Sequence, residues 1–215
     1  MSKLKKTAMR IFPAALICAA VLTACAAFAD APKQMMVVTP KLPKGSAVIE
    51  FYEKQADDHW KLTIKTRGFV GKNGVTLTKR EGDGCTPVGV FVLDRPFGIA
   101  PNPNTKLPYR QVTSADAWVD DVKSQFYNRW VDMTVVPRTW RSAEYLSLET
   151  IAYKYAAVIE YNTEPVVPGS GSAIFLHVSK GRPTAGCVSM PEEKVAAVLQ
   201  RIEKGALIII RNSAD

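Results

Sequence analysis

The sequence predicts a mixed α+β, β-rich domain of mostly antiparallel sheets with a single clear helix near its C-terminus. Three observations carry this expectation. Short apolar or alternating runs, the signature of half-buried strands, recur along the chain. Glycine, proline and asparagine cluster between those runs as turn signals. A 3.6-residue apolar period is clearest after Pro191.

Residues 1–29 lie outside that fold. Lys3, Lys5, Lys6 and Arg10 precede an apolar run from Ile11 to Ala24, the basic and apolar regions of a secretory signal peptide. Two processing readings stand. Ala27-Phe-Ala29 before Asp30 satisfies the small-x-small cleavage rule, whereas Leu22-Thr-Ala-Cys25 resembles a lipobox whose Cys25 would be lipidated. Either one predicts export to the periplasm or cell envelope, with membrane contact only through a lipid on Cys25. No later apolar stretch approaches the roughly 20 residues that span a bilayer. Pro32, Pro40 and Pro43 with weak periodicity predict an exposed leader over residues 30–45.

The whole chain has 28 Lys+Arg against 20 Asp+Glu, but residues 1–29 hold four of those cations and no acid, which leaves 24 against 20. That mild excess, without a basic tract interleaved with aromatics, excludes a nucleic-acid binder.

The domain itself is expected over residues 46–211, with 212–215 as a tail. Ala47–Tyr52 and Trp60–Ile64 read as strands around a polar turn at 53–58. Gly71-Lys-Asn-Gly74, between Phe69-Val70 and Val75–Thr78, predicts a hairpin. The glycines of 80–91 predict a bent loop entering a strand at Val88–Leu93, and 96–108 a long loop suited to a binding element or lid. Trp118–Asp121 and Phe126–Arg129 form an aromatic and acidic cluster that is either a groove wall or a satisfied corner. Leu146, Ile151 and Tyr155 suggest a short helix over 142–155, and Ala156–Ile159 and Ala173–Leu176 read as buried strands. At the end, Ser189 as cap, Pro191 in the first turn, Glu192 and Glu193, and the stripe Val195, Val198, Leu199, Ile202 predict a helix directly after Cys187 that Gly205 stops. Ala206–Ile210 is the last core strand.

The chemistry gathers at Ser172–His177 and Thr184–Met190. His177 stands ten positions before Cys187, and the turn-rich Lys180–Pro183 lies between them, so strand, loop and return bring imidazole and thiol together. A thiol is a nucleophile only as thiolate, and a nearby imidazole and a helix N-terminus both favour that form. A Cys85–Cys187 disulfide is the structural alternative in an exported chain, opposed by the glycine and histidine around Cys187. His59, the only other histidine, sits in a polar turn, and with no clustered cysteines there is no metal site to build. Catalysis is therefore expected to need no metal and no cofactor.

With these residues in view, the chain resembles the YkuD-type L,D-transpeptidase catalytic domain of bacterial peptidoglycan. The resemblance is carried by Glu81–Gly84, Thr86–Phe91, Tyr127-Asn128-Arg129, Gly171–His177 and Gly186-Cys187-Val188. It implies Cys187 as nucleophile, His177 as base, the Val178 carbonyl as the group that orients the imidazole, and backbone N–H groups near Gly186 and Cys187 around the oxyanion. It also implies peptidoglycan stem peptides as partners, with Ser172, Tyr127, Asn128 and Arg129 on the substrate side. Arg182, in the loop between the two motifs, is the candidate for a substrate carboxylate. The chain departs from the family's usual Ser/Thr-His-Gly-Cys, having Thr184-Ala-Gly-Cys187, and its interval between histidine and cysteine is short. This marks a divergent branch with one histidine. The expected reaction is transfer between stems giving 3,3 or 1,3 crosslinks. The alternatives are an L,D-carboxypeptidase or amidase, a wall-binding protein without activity, and a redox protein using the two cysteines.

Overall fold

The computed structural model describes residues 31–212. The signal peptide and lipobox readings lie outside the described residues, as does most of the predicted tail. In chain order the strands are β1 (Gln34–Lys41), β2 (Ser46–Lys54), β3 (Trp60–Phe69), β4 (Val75–Thr76), β5 (Thr86–Pro87), β6 (Gly89–Gly98), β7 (Arg110–Gln111), β8 (Asp116–Val119), β9 (Arg129–Asp132) and β10 (Ala143–Tyr145). Two 3-10 turns, Leu146–Leu148 and Ala152–Lys154, lead into β11 (Ala156–Ile159), β12 (Phe175–Val178), β13 (Val188–Met190), the helix α1 (Glu192–Leu199) and β14 (Leu207–Ile210).

The main sheet runs β11-β12-β13-β3-β2-β1-β14-β6-β7, and β6 also pairs with β11. That extra pairing closes the strands from β11 round to β6 into a ring and leaves the two-residue β7 as a short edge. Most pairs are antiparallel, but β1–β14, β12–β13 and β6–β7 are parallel. A bulge helps β6 turn between its partners. Opposite Ala157 and Val158 the register skips Arg95, which takes φ +48°. The Arg95 guanidinium pairs with Glu160 at 2.6 Å and lies over the Trp118 ring at 5.4 Å.

Two buried clusters lie on opposite faces of the β11–β13 wall. Leu176, Val178, Val188 and Met190 join the larger one with Ile49, Phe51, Leu93, Ile208 and the α1 residues Val195, Val198 and Leu199. Phe175 and Cys187 join the other with Phe97, Trp118, Leu146 and Tyr153. The two-residue period of a strand produces this division.

Four expectations are corrected here. The predicted leader contains β1, whose Met35, Met36, Val37 and Val38 are all buried because the strand lies between β2 and β14. A central strand reads as an uninterrupted apolar run rather than an alternation. The Gly71–Gly74 turn forms, with Gly74 N–H donating to Gly71 O at 2.7 Å, but its flanks make no hairpin; Val75–Thr76 pairs in parallel with β5. Residues 142–155 form β10 and two 3-10 turns in place of a helix, with Ile151 58% exposed. The long loop shortens because β6 runs on to Gly98. It is then tied down by Tyr109 Oη donating to Ala100 O at 2.8 Å and by a Lys106–Glu203 ion pair at 2.5 Å.

Candidate active site

β12 and β13 run in parallel with Leu176 beside Val188 and His177 beside Ser189. Cys187, just ahead of β13, is therefore level with Phe175. Opposed residues of a pair share a face and alternate residues return to it, so His177 and Cys187 project to the same side as diagonal neighbours. Both are buried, at 8% and 7% exposure, and both line a pocket of about 310 Å³ with Glu144, Glu149, Tyr153, Lys180, Arg182 and Thr184.

The imidazole is held on two sides. Its Nδ1 lies 2.8 Å from the Val178 carbonyl, which accepts only from an N–H, so Nδ1 carries the proton and Nε2 is the free base. The Tyr153 ring packs edge-on against it, centroids 5.8 Å apart. Burial holds the His177 pKa below the usual imidazole range, with the Val178 carbonyl pulling the other way and Lys180 reinforcing the shift.

The thiol is equally fixed. Cys187 Sγ–H donates to Ala173 O at 3.2 Å, and Phe175 N–H donates to the sulfur at 3.4 Å. Burial pushes the Cys187 pKa far above that of a free thiol and the Glu144 carboxylate adds to it, outweighing the Phe175 N–H and Lys79. Both shifts favour a neutral thiol and a neutral imidazole at rest. The expected help from a helix dipole is absent, because β13 separates Cys187 from α1, whose cap position is Pro191. Ser189, expected to cap the helix, is instead fully buried in β13, and its Oγ has no partner among the described residues.

The backbone around the cysteine is clamped. Thr184 Oγ1 donates to Cys187 O at 2.6 Å and accepts from Gly186 N–H at 3.1 Å. The Gly186 N–H expected at an oxyanion is thus already engaged in the resting protein. Space at 186 is tight, since a Cβ there would lie 3.1 Å from the Cys85 carbonyl and that backbone would have to give way. Cys85 and Cys187 are both free. His59 is exposed, and among the described residues its imidazole meets only Asp57.

Of the residues expected on the substrate side, only Arg182 lines the pocket. Tyr127, Asn128 and Ser172 are buried in a network beneath it, and Arg129 is exposed on β9. Glu81 Oε2 accepts from both the Tyr127 hydroxyl and Ser172 Oγ. Asn128 Oδ1 accepts from Trp118 Nε1 at 2.8 Å and from Ala173 N–H at 3.0 Å, and its Nδ2 donates to the carbonyls of Tyr161 and Asn162. Ala173 is held in the left-handed region, φ +52°, which costs an L residue roughly 1–2 kcal/mol. Asn128 therefore steadies the carbonyl that holds the thiol. Asn128→Ala leaves two buried donors without an acceptor, and we expect urea denaturation to show a loss of about 2–4 kcal/mol; a loss under about 0.5 kcal/mol would contradict this clamp.

Sequence reasoning missed Glu144 and Tyr153. Tyr153 donates its hydroxyl to Glu144 Oε2, and burial raises the Glu144 pKa to about 7. Neither had a local signal, since both fell in the segment read as an amphipathic helix.

A buried thiol and a tautomer-fixed imidazole thus meet on one pocket beside adjacent strands of the main sheet, an arrangement that suits cysteine-based catalysis. The family model described as the L,D-transpeptidase catalytic domain, YkuD, matches residues 44–210, and the chain belongs to that family. Comparisons with curated proteins and with solved structures give no match. Among the described residues no group of three or more His, Cys, Asp or Glu could hold a metal, and no helix is long and apolar enough to cross a membrane.

Proposed function

We propose that this protein is an exported peptidoglycan L,D-transpeptidase that joins stem peptides through a thioester on Cys187. The observation that carries the reading is the common placement of Cys187 and His177 on one pocket within a YkuD domain. For the first half-reaction the Sγ–H turns from Ala173 O toward His177 Nε2, gives up its proton, and sulfur attacks the carbonyl of the third stem residue. As the tetrahedral adduct collapses, the C–N bond to the terminal D-alanine breaks. The departing amine takes the proton from Nε2. An amine of a second stem then attacks the thioester, Nε2 receives its proton, and the thiol is restored as the new amide forms.

Nε2 alone must carry both proton transfers. The family's second histidine is replaced by Ala185, which lines the same pocket. The burial of Cys187 suits transfer over hydrolysis, because a thioester formed on that sulfur waits for the amine with little water beside it. Incubation with disaccharide tetrapeptide, read by mass spectrometry, tests the assignment. Crosslinked dimer with free D-alanine is the expected product. Tripeptide monomer alone would make the protein a carboxypeptidase, and unchanged substrate would overturn the catalytic reading.

A further inference from the structure

The pocket holding Cys187 and His177 carries charge of both signs. Of its two acids, Glu149 is paired with Lys180, whereas Glu144 has no cationic partner among the described residues. Tyr153 occupies Glu144 Oε2, and Oε1 takes no hydrogen bond among the described residues. Among all the described residues, the fully buried side-chain N and O atoms without a partner are Asp120 Oδ1, Trp140 Nε1, Tyr145 Oη and Ser189 Oγ, none of them on this pocket. Glu144 Oε1 is not one of them, so this oxygen is reachable from the pocket that the residue lines. Backbone and aromatic packing hold it there: Glu144 pairs with Trp118 across β10 and β8, and Tyr153 is wedged against Phe97, Phe175 and His177. The cationic Arg182, exposed on the same pocket, makes no ion pair among the described residues.

We propose that Glu144 binds a primary ammonium of the substrate through Oε1, while Tyr153 fixes the carboxylate and Arg182 meets a neighbouring substrate carboxylate. This deepens the transpeptidase reading and rests on it for the identity of the ligand, an amino-acid head group bearing both charges. Two sources share that chemistry, the side-chain amine of the donor stem's third residue and the amine of the acceptor stem. Charge complementarity favours a cation, since a half-buried carboxylate without a cationic partner is costly until paired. Binding would also bear on catalysis. The Glu144 charge helps to keep the Cys187 thiol protonated, and an ammonium on Oε1 offsets that field when substrate arrives.

The test measures binding to the full domain carrying Cys187→Ala, which cannot acylate. The probes are a diaminopimelate-containing tetrapeptide, as donor, and the tripeptide lacking D-alanine, as acceptor, each with its side-chain amine free or acetylated. We expect the free amine to bind at least about 10-fold more tightly than the acetylated form for one of the two peptides. The peptide that shows the preference names the source. In Cys187→Ala/Glu144→Gln, where the amide still accepts from Tyr153, the preference should vanish through loss of free-amine binding alone. Persistence of the preference, its absence from both peptides, or equal weakening of free and acetylated forms would overturn the proposal. Because no turnover is needed, a Glu144-dependent preference in a protein that fails to crosslink would sink the transferase reading and leave this one standing.

Discussion

Cys187→Ala loses acyl-enzyme formation by roughly 10⁴-fold or more, read as the disappearance of the thioester adduct from the intact-protein mass after mixing with stem tetrapeptide. The size follows from the reaction's dependence on a group no neighbour can replace. Cys85, the other described cysteine, is engaged with the Asn73 and Asp83 carbonyls and does not line the pocket. The fold should survive. Cys187 is one member of a cluster anchored by Phe97, Trp118, Tyr153 and Phe175, and trimming one sulfur from it costs about 1 kcal/mol. Undiminished adduct in the variant would place the nucleophile elsewhere and remove the basis of the mechanism.

His177→Gln slows acylation by about 10²–10⁴-fold, and the pH profile says why. Burial lowers the imidazole pKa and raises that of the thiol, so the resting pair is neutral over the physiological range. A base that must be unprotonated loses activity as pH falls through its own pKa. Read with Glu144→Gln, which removes the pocket carboxyl that titrates at about 7, the acid limb of kcat/KM should therefore have its midpoint below about 6.5, the ordinary imidazole value. On the alkaline side no fall is expected through about pH 9, since the thiol ionises only well above its usual range. A thiolate–imidazolium pair would behave differently. It would retain activity to about pH 4 and decline as the imidazolium lost its proton, so a bell centred near neutrality would refute the neutral pair.

Much of the fold was legible where local pattern and final environment agree. β2, β3, β11 and β14 were read from apolar runs and turns, and Val195, Val198 and Leu199 from their spacing. β1 was not, because two methionines and two valines flanked by prolines look the same in an extended leader as in a strand enclosed by β2 and β14. The helix read over 142–155 failed for a related reason. Leu146 packs inward, but the next buried residues are Ala152 and Tyr153, and Tyr153 is drawn in by Phe97, Phe175 and His177 rather than by helical period.

At the site, the pairing of His177 with Cys187 was legible because it lies within one strand–loop–strand unit, where spacing in sequence becomes spacing in space, and the Val178 carbonyl was expected from the family resemblance alone. Tyr127, Asn128 and Ser172 were noticed for their motifs, yet their hydrogen bonds point into the protein. Glu144, on the small β10-β8-β9 sheet, and Tyr153, in a 3-10 turn, come from a different part of the chain, and only tertiary packing sets them in the same pocket as the thiol. The sequence by itself determined the family, the strand-rich architecture and the identity of the thiol and imidazole, because each rests on contiguous residues. The tertiary structure decided their protonation, the engagement of the Gly186 N–H and the acid that shares the pocket. Burial and long-range contact set those properties, and neither is a property of any short segment.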